Sequence, residues 1–253
     1  MYDYMHSVAK LMRAQLRYDP DDLRARYALA TSFFESGNIE GALSEFWQIL
    51  DADREFESGE ALFASALCLA TLGQHSDALI YLHEATALQG VDYYRCTIAR
   101  SRSLAALHRF SEAEACLREA LDQKSARTNA ESLATLWSEL AKVLYLVGMM
   151  DKSDAAFFKA ATYAPRNAEI QARRALFYLQ QGSLTEAKIP LEKAMQMNPK
   201  NAYSAIARAE YYRQVGNIET ASFLLESLPS DAHRILKEYN ALYKLALTAP
   251  DKM

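Results

Sequence analysis

The residues that could do chemistry are scattered along this chain. His6, His75, His83, His108 and His233 have no spacing that would set two imidazoles on one helix face as metal ligands. His83-Glu84 is followed by Ala85-Thr86-Ala87, so the two-histidine zinc pattern stops at its first half. There is no phosphate-cradling glycine loop, no dinucleotide fingerprint, no G-x-S-x-G elbow and no C-x-x-C. Cys68, Cys96 and Cys116 form an odd, widely spaced set, which suits reduced, packed thiols better than a disulfide frame or a redox pair. Glu112 and Glu114 make a close acidic pair, but on a helical pattern they read as solvated surface. The 15 Tyr and 10 Phe would be a supply of stacking rings for nucleotides, yet most sit at helical core spacing. Residues 1–127 carry 13 basic and 19 acidic side chains, and the remainder 15 and 13, so neither half has the basic stripe of a nucleic-acid binder. No catalytic residues, no cofactor, no metal site and no nucleic-acid partner are expected.

The elements that carry these residues are helical. About half of the 253 residues are hydrophobic, while Gly (8) and Pro (6) are scarce. Alternating Val, Ile and Thr runs are nearly absent, so strands have little to start from. No stretch approaches the roughly 18–20 apolar residues of a membrane span. One phrase recurs, a Gly or its substitute, a short turn, then a small residue: SGNIEGA, LGQHSDA, LHRFSEA, VGMMDKS, QGSLTEA and VGNIETA. Its turn positions are Gly37, Gly73, His108, Gly148, Gly182 and Gly216, at intervals of 36, 35, 40, 34 and 34. Pro165 and Pro199 repeat in the same 34-residue frame, each after a Lys-Ala pair.

This pattern resembles the tetratricopeptide repeat, whose motif runs W-x2-L-G-x2-Y, then A-x3-F, then A and P. The unit 134–167 matches best, with Trp137, Leu140, Ala141, Leu144, Ser153, Phe157, Ala160 and Pro165. Units 23–56, 59–92, 94–127, 168–201 and 202–235 share the small-residue and turn positions, though five lack the Trp and the first three lack the closing Pro. The resemblance implies an all-α, right-handed α-solenoid of about six helix-turn-helix units. Residues 2–18 would be an N-terminal half-unit, and 231–247 a C-terminal capping helix or a dimer contact. The interval of 40 leaves about six extra residues around Gln123–Glu131, either a bend or a one-turn helix extension. Domains are accordingly expected at 1–127 and 128–253, or as one continuous body.

In this family the first helix of each unit lines a concave groove, through positions 2, 5, 6, 9, 12 and 13. By frame these include Arg24, Tyr27, Thr31 and Phe34, then Phe63 and Leu67, then Arg95, Ile98 and Arg102. In the second half they are Ser138, Lys142 and Tyr145, then Arg173 and Leu176, then Tyr203, Ile206, Glu210 and Arg213. Such a groove, apolar with a modest basic centre at Arg95, Arg102 and Lys142, suits a protein or peptide segment with apolar anchors and some acidic groups. The other reading is that these arginines pair with Glu60, Glu139 or Glu169 on adjacent helices. The carboxylate clamp for chaperone tails needs Lys and Asn at positions 5 and 9, where the first unit has Tyr27 and Thr31, so that clamp is not expected.

The function implied is a non-catalytic scaffold, adaptor or chaperone. Alternatives are a regulatory or substrate-presenting arm of a larger enzyme or secretion machine, and a self-assembling repeat protein using its terminal helices. The stretch from Arg17 to Leu50 is similar to repeats appended to certain bacterial thioredoxin-like chaperones. Without a signal-like N-terminus the cytoplasm is the default location, or the periplasm if a signal was removed.

Overall fold

The computed structural model describes residues 2–88, 90–123, 129–228, 235, 236 and 240, with side chains from residue 7 onward. Among them, regular structure is helical throughout. Packing divides the chain into two units, residues 1–116 and 117–253. The first holds α1 (Tyr2–Tyr18), α2 (Leu23–Glu35), α3 (Ile39–Ala52), α4 (Glu60–Thr71), α5 (His75–Ala87), α6 (Tyr93–Ala106) and the start of α7 (Phe110–Asp122). The second holds the end of α7, then α8 (Ala130–Leu146), α9 (Met150–Tyr163), α10 (Ala168–Gln180), α11 (Leu184–Met197), α12 (Ala202–Gln214) and α13 (Ile218–Glu226). Each unit is a solenoid segment of stacked helical hairpins, and the chain is an all-α solenoid of repeats.

The recurring turn makes each hairpin. Gly37, Gly73, Gly148, Gly182 and Gly216 all adopt the left-handed conformation, with φ between 71° and 85°. Each ends a first helix with the same pair of bonds: Gly148 N–H donates to Tyr145 O (2.9 Å) and Met149 N–H to Leu144 O (2.9 Å). His108 occupies the slot at φ 60° with the same bonds, to Ala105 O and Leu104 O. A side chain there costs energy that glycine avoids. Helix starts are fixed by side-chain caps, such as Asn167 accepting from Ile170 N–H (3.2 Å) and Asn201 from Ser204 N–H (3.3 Å).

The seams are built from small residues. Ala141, Ala160, Ala175, Ala187 and Ala194 are fully buried, as are Ala30, Ala42, Ala78 and Ala85 in the first unit. Ser153 takes the same role in α9 and donates its hydroxyl to Ala141 O (2.7 Å), tying the two helices of that hairpin. Leu140, Leu144, Phe157, Ile170 and Leu179 fill the space beside these contacts. In the first unit, Arg13 of α1 lays its guanidinium 5.1 Å over the Phe33 ring of α2, as an N-terminal half-unit would. The link from α3 to α4 passes through a one-turn 3-10 helix, Phe56–Gly59, in which Glu57 and Ser58 are both left-handed. Gly90 seats this turn: a Cβ there would lie 2.0 Å from Ser58 Cβ and 2.4 Å from its carbonyl oxygen.

The three cysteines are buried and in no disulfide, and burial alone pushes Cys68 up to about 12. α8 begins at Ala130 and runs 17 residues, against 13 for α10 and α12, so part of the extra sequence extends this helix by a turn. The rest of that insertion, Lys124–Thr128, lies outside the described residues, as does the 231–247 helix apart from Ile235, Leu236 and Asn240.

Replacing His108 by Gly is expected to stabilise the chain by roughly 1 kcal/mol, the strain of a left-handed non-glycine residue. A rise of a few degrees in thermal midpoint checks this; a fall would show that the His108–Phe110 ring contact (5.7 Å) outweighs the strain.

Candidate functional site

In the first unit, Tyr27 is half-buried, with its ring edge-on to Phe46 (5.5 Å) and tilted to Phe56 (5.6 Å). Burial, then Glu60, holds its hydroxyl above the usual tyrosine range. Thr31 turns its hydroxyl back to Tyr27 O (2.9 Å), and Phe34 packs half-buried on the core. Phe63 is buried beneath Arg95, whose guanidinium lies 4.5 Å over the ring and 3.0 Å from Glu60. Arg24 is exposed and 3.5 Å from Glu57; Ile98 is half-buried and Arg102 exposed.

The second unit concentrates its inner charges in one buried network. Arg173 of α10 donates from Nη1 to Glu139 of α8 (2.6 Å) and from Nη2 to the Tyr203 hydroxyl of α12 (3.0 Å). Nη2 also lies 2.7 Å from Glu169. Lys142 Nζ donates to the other oxygen of Glu139 (3.1 Å). The Arg173 side chain is 5% exposed and that of Glu139 3%. Burial disfavours the guanidinium charge, but Tyr203, Glu139 and Glu169 outweigh it and hold the group above the usual arginine value. Tyr203 adds its ring face, 4.5 Å from the guanidinium carbon. Desolvating these ions is costly, and their mutual pairing offsets that cost, although Arg173 Nε is buried without a hydrogen-bond partner.

The pairs with Glu60, Glu139 and Glu169 are thus present, and the basic centre read from the sequence is largely neutralised by them. Arg213, at the last inner position, is exposed and chelated by Glu210 (2.6 and 2.8 Å). Ser138 and Ile206 are buried inside the stack. What stays open beside the network is a pocket of about 60 Å³. It is lined by Lys142, Tyr145 and Leu146 of α8, Phe157 of α9, Arg173, Leu176, Phe177 and Gln180 of α10, Tyr203 of α12, and Ile235. Phe177 organises its wall, edge-on to Tyr145 (5.6 Å) and tilted to Phe157 (5.0 Å). Reading by frame brought together Lys142, Tyr145, Arg173, Leu176 and Tyr203, and its thirteenth position also falls on Leu146 and Gln180, but it missed Phe157, Phe177 and Ile235. A signal was available for the ion pair: Glu139 and Arg173 are 34 residues apart, the same slot in successive units with opposite charge.

Among the described residues no group of three or more His, Cys, Asp or Glu could hold a metal ion. No helix among them is long and apolar enough to cross a membrane.

Family profiles described as tetratricopeptide repeat match residues 6–83 and 168–201. No curated protein matches the sequence. Among solved structures, a tetratricopeptide repeat protein from Parabacteroides merdae aligns with a TM-score of 0.70 at 18% identity, over 96% of this chain and 93% of that one. A thermophilic TPR protein of Thermus thermophilus aligns at 0.62 and 24% identity, over 76% of this chain and 98% of its own. The Cut9–Hcn1 hetero-tetramer of the APC/C contains a chain that aligns at 0.62 and 18% identity, over 84% of this chain and 40% of that chain. At these identities the likeness is one of fold.

Removing one partner of the network strands buried charge. Glu139→Ala is expected to destabilise by ~3–5 kcal/mol, while Glu139→Leu combined with Arg173→Met recovers most of the loss. Urea unfolding of the three proteins checks this; a single-variant cost below about 1 kcal/mol would mean that water reaches the pair.

Proposed function

The chain belongs to the tetratricopeptide-repeat family, and from that premise we propose that it is a non-catalytic scaffold or adaptor that holds a protein segment on the inner faces of its first helices. The observation that carries this reading is the second-unit pocket. An aromatic wall of Tyr145, Phe157 and Phe177 stands beside a network whose charges are already paired. Such a surface offers apolar anchorage without demanding a countercharge. The partner it suits is an extended or helical segment whose large apolar side chain enters beside Phe177. Acidic groups on that segment find Lys142 already engaged by Glu139, so they contribute orientation more than affinity.

Affinity capture from native lysate tests this with three baits: the unaltered chain, Tyr145→Glu on the inner face, and Ile189→Glu on the exposed side of α11. The unaltered chain and Ile189→Glu are expected to recover the same protein, and Tyr145→Glu to lose it by about tenfold or more, the effect of ~1.4 kcal/mol. Equal recovery by all three, with helical content unchanged, would place binding elsewhere.

A further inference from the structure

The outward side of the second helices in the second unit, α9, α11 and α13, carries large apolar side chains that the stack leaves uncovered. Phe158 is 60% exposed, Ile189 63% and Phe223 68%. Ala155, Ile189 and Phe223 hold one slot, 34 residues apart, each two residues after the buried seam residue Ser153, Ala187 or Ala221. All three are exposed, so this slot points away from the stack. Phe158 follows Ala155 by about one turn, and the Arg174 guanidinium lies 5.6 Å over its ring.

The exposed charges beside this slot are sorted by helix. On α9, Lys152 stands three residues before Ala155 and Lys159 four after it. On α13, Glu226 stands three residues after Phe223 and Glu219 four before it. All four are exposed, with Lys159 over the Trp137 ring (4.2 Å) and Lys152 Nζ 3.7 Å from Met149 Sδ. Helix geometry puts the two lysines about 4.5 Å and 6 Å to either side of the slot, and the glutamates at the same heights in reverse order. The lysines are turned roughly 40–60° to one side of the slot and the glutamates by the same angles to the other. That is how a surface relates to its own image under a two-fold axis. An axis through Ile189 sets α9 of one copy against α13 of the other. It opposes Lys152 to Glu226 and Lys159 to Glu219, twice over, and lays the Phe223 ring on Ala155 beside Phe158. On α11, which the axis crosses, Glu186 meets Glu192 of the other copy, and Lys188 and Lys193 on the same helix balance them.

We propose that this face binds a second copy of the chain, as a two-fold pair centred on Ile189. Its charge order is complementary to itself, which an isologous contact requires and a different protein would not need. The face is built from helices of 14, 14 and 9 residues. It measures roughly 20 by 25 Å, so pairing buries about 1,000 Å² in total, the lower end for a specific contact, and the pair is reversible. The contact leaves α8, α10 and α12 uncovered, so it stands or falls apart from the inner-face reading.

Sedimentation equilibrium of the full chain at low salt, over a series reaching on the order of 100 µM, tests this. The unaltered chain should move from monomer towards dimer. Two charge-reversed forms follow: Lys152→Glu with Lys159→Glu, and Glu219→Lys with Glu226→Lys. Each alone should pair at least about tenfold more weakly, and their equimolar mixture should regain the unaltered affinity to within about threefold, because only the mixed pair matches both sets of charges. Ile189→Glu, with helical content unchanged, should stay monomeric. A monomer throughout the series would assign this face to a different protein and overturn the pair. Charge-reversed forms that pair as tightly as the unaltered chain, or a mixture that regains nothing, would place self-association on another face and overturn it equally.

Discussion

Everything in this structure depends on a constraint that a helical hairpin cannot meet by itself: its apolar face has to be covered by the next hairpin. Alanine and serine at the seams let the helices approach, and a left-handed residue after each first helix returns the chain at a fixed angle. Once those two conditions hold, the first helices of successive units present equivalent positions side by side. Residues 34 apart become neighbours, and that neighbourhood generates the rest of the chemistry.

The buried network of the second unit follows from this. Glu139 and Arg173 hold the same slot on α8 and α10, and Tyr203 of α12 closes the set. Opposite charges in register bind one unit to the next, where like charges would have driven them apart. Because the charges pair with one another, the pocket beside them is left mostly apolar. A surface of that kind recognises shape and apolar area.

Most of the fold was legible in the sequence because its signals are local and periodic. The turn at Gly37, Gly73, Gly148, Gly182 and Gly216 needs only a left-handed residue, and even His108 could be placed there by its interval. The small seam residues carry the same 34-residue period. The candidate site was legible only in part. Frame counting finds which residues share an inner face, such as Tyr145 and Tyr203, but not how deeply each sinks. Arg173 reads as an exposed cation until α8 and α12 close over it. Phe157 and Phe177 read as plain core and are buried; that they line the pocket is set by packing among α8, α9 and α10. Ile235 was read only as part of a 231–247 capping helix or dimer contact, because its place beside the pocket is set by tertiary contact.

The central claim is that partners are held by the inner helices of the second unit. Hydrogen–deuterium exchange of the chain, alone and with a captured partner, tests it most directly. Protection gained along α8, α10 and α12, with α9, α11 and α13 unchanged, is the result this account predicts. Protection confined to the second helices of the hairpins, or to the first unit, would contradict it.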